Sequence, residues 1–253
     1  MDPEPVRAGG TQRIYDKLVR AEGTQRTYAR LAGIFVLAAI VFAFSGGAML
    51  SRIAGTGTFE EIAHRITAGE RLYRVGLTLQ LLGTLSGALL FFAFYATLKP
   101  VNSLLAQLAM ILGLLDTPLG LVVRMCGFVR AQLFISAEQP GAGTAPVKAF
   151  SDLMRSIATL TENIGGIAFG MGLLLVFYLF WKSGYIPRIL SGLGLLASAL
   201  WVAMYLASLV FPENRGLLMR ICYAPGAVAL VGTGLWLIVF TIKTRTGPSV
   251  QPA

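Results

Sequence analysis

Apolar residues in this chain gather into six long runs separated by short polar connections: Leu31–Leu50, Leu72–Leu98, Leu104–Val123, Leu160–Trp181, Ile189–Phe211 and Leu217–Ile242. A bilayer core about 30 Å thick is crossed by roughly 20 apolar residues in helical form, so each run is long enough to span. Hydrocarbon offers the backbone no hydrogen bonds, and a helix satisfies its own amides. The pattern therefore predicts an all-α, polytopic integral membrane bundle of six transmembrane helices. Residues 1–30 form a basic N-terminal tail, 31–242 one membrane domain, and 243–253 a C-terminal tail. The first run is expected to be a span, because it is too long for the apolar core of a cleavable signal and no small-residue cleavage site follows it.

The connections carry patterns of their own. Thr58-Phe59-Glu60-Glu61 reads as a capping box, and Phe59, Ile62, Ala63 and Ile66 then repeat at helical spacing. A short amphipathic helix is expected there, between spans one and two, on the outer face. The lone histidine, His64, falls on its polar side, and without a second histidine nearby no metal site is expected. In the tail, Gly10-Thr11-Gln12-Arg13-Ile14-Tyr15 recurs as Gly23-Thr24-Gln25-Arg26-Thr27-Tyr28. An interfacial helix and a partly disordered basic tail both fit this segment. Ser136–Pro146 is rich in Ala, Gly and Pro and reads as a loop, with Pro146 placed to open the next helix. Phe150, Leu153, Ile157 and Ile164 then continue at helical spacing into the fourth span. Gly83–Gly87 and Gly166–Gly170 are Gly-x-x-x-Gly pairs, expected to pack helices inside the bundle.

Composition agrees with the membrane reading. Of 253 residues, 55% are hydrophobic and 13% charged, against about 25% charged in soluble domains. A net charge of +9 raises the question of nucleic acid. The basic residues cluster at span ends, however, so lipid headgroups are the expected partner and nucleic acid is not. With the N-terminus cytoplasmic, Arg7, Arg13, Lys17, Arg20, Arg26, Arg30, Lys99, Lys182, Arg188, Lys243 and Arg245 are inside, eleven of the 21 Lys and Arg. The count barely decides orientation. The short inner loops contain no acid, whereas the outer ones carry Glu60, Glu61, Glu70, Glu138, Asp152 and Glu213, which tips the expectation to cytoplasmic N- and C-termini in a plasma (inner) membrane. Cys126 and Cys222 would both lie near outer helix ends; a disulfide is geometrically allowed, and buried free thiols are the expectation.

Three further segments stand out: Leu72-Tyr73-Arg74-Val75-Gly76, Leu98-Lys99-Pro100-Val101-Asn102 and Ser183-Gly184-Tyr185-Ile186-Pro187-Arg188-Ile189-Leu190. With them the chain resembles a bacterial six-span family catalogued as domain of unknown function 4386. The resemblance covers about Leu31 to Ile242 and implies an architecture without an activity. It also implies acidic residues in the second span, a basic residue in the third and a histidine in the fourth. This chain carries Gln80 and Gly87, Gly113 and Gly172 in those regions.

Ionisable side chains inside spans are expensive and so mark candidate function. Asp116 lies near mid-depth in the third span, two positions before Pro118, which withholds an amide and predicts a kink or a freed carbonyl. Arg74, Gln80, Arg124, Glu162, Asn163, Arg220 and Tyr223 share the outer half, and Pro225 offers a second break. Together they would line a polar cavity holding a small lipophilic or amphipathic ligand. In the competing reading Arg74, Arg124 and Arg220 snorkel to headgroups and Asp116 pairs with one of them. No nucleophile elbow, zinc-protease helix or phosphate loop occurs, and no cofactor is expected. Enzymatic action would rest on Asp116 or Glu162 as a buried acid or base. A binding or carrier protein is the preferred expectation; an intramembrane enzyme acting on a lipid, and a structural or partner-binding subunit, are the alternatives.

Overall fold

The computed structural model describes residues 6–138 and 144–240, with side chains from residue 23 onward. All six spans are present as helices: α1 (Val6–Ala54), α3 (Glu70–Leu98), α4 (Ser103–Ala137), α5 (Thr144–Ser183), α6 (Arg188–Val210) and α7 (Arg215–Val239). The helix α2 (Phe59–Ala68) joins α1 to α3. Among the described residues there are no strands.

Each span packs against its neighbours in sequence, and α7 returns to pack against α1, so the six close into a ring. The ends of α1 and α7 that carry the chain's two tails lie at one end of this ring. At that end Gln25 donates its Nε2 hydrogens to the Thr97 carbonyl at 2.9 Å and to Tyr185 Oη at 2.9 Å. With no hydrophobic drive between helices in lipid, close van der Waals contact must hold such a ring. Small residues supply it. A Cβ on Gly33 would stand 2.6 Å from the Gly234 carbonyl oxygen, which locates the α1–α7 closure, and one on Gly46 would stand 2.6 Å from that of Gly76, between α1 and α3. Gly172 approaches Gly113, and Phe91 covers both. These two positions are therefore packing sites beneath an aromatic ring. Phe91, Phe94, Phe169 and Phe180 continue as edge-to-face pairs with centroids 5.6–6.4 Å apart, filling the half of the ring on the tail side.

At the opposite end α2 has the expected capping box. Glu61 N donates to Thr58 Oγ1 at 3.3 Å, and Thr58 N donates to Glu61 Oε2 at 3.1 Å. Its apolar stripe buries Ala63 and Ile66 against Phe134 and Ala131 of α4. Phe59 meets Phe134 at 5.2 Å, and the Arg130 guanidinium lies 5.5 Å from the same ring. His64 Nδ1 lies 3.3 Å from Glu138 Oε2.

Two boundaries differ from the sequence reading. The third span does not stop at Val123 but continues to Ala137, because Arg124 and Arg130 interrupt the apolar run without interrupting the helix. The first span is one helix with the tail that precedes it, with no break at residue 30. The lead-in expected to open near Pro146 is continuous with the fourth span, as read, in a helix that begins at Thr144. The interfacial placement of the tail concerns side chains before residue 23, and it lies outside the described residues, as do residues 241–253.

Candidate functional site

The ring is not filled on the α2 side. A cavity of about 270 Å³ opens there, lined by all six spans. Val36, Ala39, Ile40, Ala43 and Phe44 come from α1, and Gln80, Gly83, Thr84, Gly87 and Leu90 from α3. Asp116, Gly120, Val123 and Arg124 come from α4; Glu162, Gly166 and Phe169 from α5; Trp201 and Tyr205 from α6; Tyr223, Ala227 and Leu230 from α7. On most of these helices the lining residues recur three or four apart, one inward stripe each. Glycines widen the space: at Gly87 an added Cβ would meet nothing within 4 Å. Of the two Gly-x-x-x-Gly pairs, Gly83 approaches the backbone of α1, while Gly166 and Gly170 receive Tyr205 and Val202 of α6.

The charged groups are arranged unevenly. Arg124 donates through Nη1 to Gln80 Oε1, while its Nε is buried without a partner. Glu162 Oε2 accepts from Arg215 Nη2 at 2.6 Å, tying α5 to the first turn of α7. Asp116 makes no ion pair and no hydrogen bond among the described residues. Its Oδ1 lies against Gly165, where a Cβ would come within 2.6 Å. Of the arginines that the sequence alternative offered to Asp116, Arg124 lies within electrostatic reach of it without a direct contact, and Arg74 is paired with Glu70.

Aromatic rings form the facing wall. Phe169 stacks on Trp201 with centroids 5.8 Å apart, and Trp201 packs on Tyr223 at 5.3 Å. Tyr205 and Tyr223 share a hydrogen bond of 2.6 Å between their hydroxyls. Trp201 Nε1 donates to the Cys222 carbonyl at 2.9 Å, next to Ile221, whose carbonyl Pro225 leaves without an amide. Both α4 and α7 remain helical through their prolines.

The cavity has a side opening. Gly33, Leu37, Ile40 and Phe44 lie on one stripe of α1, at i, i+4, i+7 and i+11. Gly33 and Leu37 touch α7 around Gly234. Phe44, on the same stripe and bordering the cavity, is 61% exposed. Tyr223 of α7 borders the cavity as well, so the exposed Phe44 edge on the α1–α7 side is its lateral mouth.

Of the residues singled out from sequence, the structure brings together Gln80, Asp116, Arg124, Glu162 and Tyr223 around this cavity. It leaves out three. Arg74 is turned to another face of α3 and pairs with Glu70 at 2.7 Å. Arg220 is exposed on the outside of α7. Asn163, one position from Glu162 and so about 100° round the helix, is buried elsewhere with its Oδ1 unpartnered. Sequence reading missed Phe169, Trp201, Tyr205 and Arg215. The spacing Glu162–Gly166–Phe169 and Trp201–Tyr205 was the available signal, since each extends a polar or aromatic position along one stripe. Cys126 and Cys222 are buried free thiols on helices that are not neighbours in the ring, as expected.

The family model for the domain of unknown function (DUF4386) matches residues 31–240, and the chain belongs to this family. No curated protein and no solved structure matches the chain.

Proposed function

We propose that the protein binds a small lipophilic or amphipathic molecule in the cavity between its six spans, as a carrier or resistance factor rather than as an enzyme. In this reading the chain lies in the plasma membrane with both tails cytoplasmic, so the cavity belongs to the outer half of the bilayer. The observation that carries it is Asp116, a carboxylate at a cavity wall that makes no ion-pair contact and no hydrogen bond among the described residues. A bundle stabilised only by packing gains nothing from such a group, whose desolvation is costly. A ligand that supplies the missing contacts would account for it. Wall chemistry suits an amphipathic molecule: one side is polar through Gln80, Asp116 and Arg124, and the other is aromatic.

Mass spectrometry of small molecules retained by the protein in mild detergent tests this reading, with Asp116→Asn and Arg124→Ala purified in parallel. A discrete compound held by the wild type and lost from both variants is the expected result. Bulk lipid alone, equal in all three preparations, would remove the binding reading and favour a structural or partner-binding subunit.

A further inference from the structure

We propose that the occupant is a zwitterionic lipid whose ammonium group sits at Asp116 and whose phosphate sits at Arg124, with its chain leaving between α1 and α7. This rests on the cavity being a binding site, and it names the ligand class.

Charge balance is the first observation. Three charged side chains line the wall, Asp116, Arg124 and Glu162, and Glu162 is paired with Arg215, which is not part of the lining. Asp116 and Arg124 do not pair, although they are eight residues apart on one helix. That separation is two turns, about 12 Å along the axis. The long Arg124 side chain brings its charge within electrostatic reach of Asp116 and Glu162 without a direct contact to either, so both charged groups keep unfilled contacts on the same space. A molecule with a single charge would satisfy one and leave the other; a zwitterion satisfies both.

The aromatic wall decides which charge goes where. Phe169, Trp201 and Tyr223 border the cavity, and ring faces attract ammonium groups, most strongly where water is excluded. Phe169 is packed on Phe91 at the closed, tail-side end of the cavity. Asp116 is the deeper of the two charged groups, because Arg124 lies two turns nearer the α2 end. The ammonium therefore belongs at the bottom, between Asp116 and the stacked rings of Phe169 and Trp201. Arg124 presents a buried Nε with no partner, a donor suited to a phosphate oxygen.

Size and the mouth supply the chain. About 270 Å³ is below the roughly 300–1,000 Å³ of pockets that enclose a drug-sized ligand. A headgroup fits, and its hydrocarbon must lie elsewhere. The lateral mouth at Phe44 is level with the α4 segment near Arg124: Gly46 abuts Gln80, and Gln80 is bonded to Arg124. In a phosphocholine or phosphoethanolamine lipid the chain is attached on the phosphate side and the ammonium is terminal. That order matches the Phe44 edge, Arg124, Asp116 and Phe169 in turn.

Trp201 allows a direct test. In a Trp181→Phe, Trp236→Phe background it is the sole tryptophan, and its fluorescence reports the cavity wall. The protein in dodecyl maltoside is titrated with dodecylphosphocholine, dodecyltrimethylammonium and dodecyl phosphate, and separately with water-soluble glycerophosphocholine. We expect dodecylphosphocholine to shift Trp201 emission at about tenfold lower mole fraction than either singly charged probe, the worth of one added charge-assisted contact. Asp116→Asn should bring it level with dodecyl phosphate, and Arg124→Gln level with dodecyltrimethylammonium. Equal response to all three probes, or a singly charged probe that matches the zwitterion, overturns the assignment while leaving a binding cavity. Glycerophosphocholine acting as strongly as dodecylphosphocholine overturns the lipid chain. No response to any probe removes the binding reading itself. The probe comparison is made with both cavity charges intact, so it decides even if the Asp116 and Arg124 variants fail to fold.

Discussion

The carboxylate of Asp116 lies against Gly165 of the neighbouring helix, so close that a Cβ there would stand 2.6 Å from Oδ1. Next in sequence, Gly166 faces the ring of Tyr205, with a built Cβ 2.3 Å from it. These adjacent glycines should respond differently to alanine. In Gly165→Ala the nearest obstacle is the end of a movable side chain, with Leu119 Cβ next at 3.3 Å, so a swing of Asp116 and a small shift of α4 should keep the cost near about 1 kcal/mol. In Gly166→Ala it is a buried ring tied to Tyr223, and overpacking there should cost about 1–3 kcal/mol. Thermal unfolding in detergent measures both. Ligand retention should fall in Gly165→Ala while its Tm stays near wild type.

The Glu162–Arg215 pair bridges α5 and α7 beside the cavity. Glu162 is partly exposed, so the pair should contribute about 1 kcal/mol or less after screening. A double-mutant cycle with Glu162→Gln and Arg215→Gln reads this coupling from Tm. A coupling near zero would mean that the pair adds nothing to the packing and hydrogen bonds α7 already makes with α1 and α6.

Hydropathy made the six spans legible because hydrocarbon leaves the backbone few choices. The third span was cut short at Val123 for the same reason: an arginine ends an apolar run, yet Arg124 turns inward to Gln80 and the helix goes on to Ala137. The site was only partly legible. Residues near one depth were gathered without regard to angle, which admitted Arg74, Asn163 and Arg220 and passed over Arg215, five residues from Arg220 and some 140° round the helix. Tyr205 and Trp201 look like core aromatics in sequence. Their role as a cavity wall depends on the ring closing between α1 and α7, a contact of small residues far apart in the chain.

Arg65 closes the α1–α2 corner. Its Nε and Nη2 donate to the Ala54 carbonyl at 3.1 and 2.7 Å, and Nη2 also reaches the Thr56 carbonyl at 3.0 Å. A lysine cannot reproduce this fork. Arg65→Lys should cost about 1–2 kcal/mol, and loss of the cap in Thr58→Ala about 1 kcal/mol. Hydrogen exchange across residues 54–68 should accelerate in both, with the six spans unaffected. Unchanged exchange would show that burial of Ala63 and Ile66 alone seats α2.

Gly87 separates a binding cavity from a packing defect. It lies on the cavity wall, and a Cβ there would meet nothing within 4 Å. Replacing a helical glycine by a residue with a side chain removes backbone freedom worth roughly 0.5–1 kcal/mol, and Gly87→Leu would also fill empty space. If the cavity is an accident of packing, this variant should gain stability and lose nothing else. If it is a binding site, the same substitution should raise Tm in the ligand-free protein and abolish retention of the bound molecule, the usual conflict between stability and function at a site. Tm and ligand retention measured on one preparation separate the two. A stabilised variant that still retains its ligand would place the molecule outside the cavity.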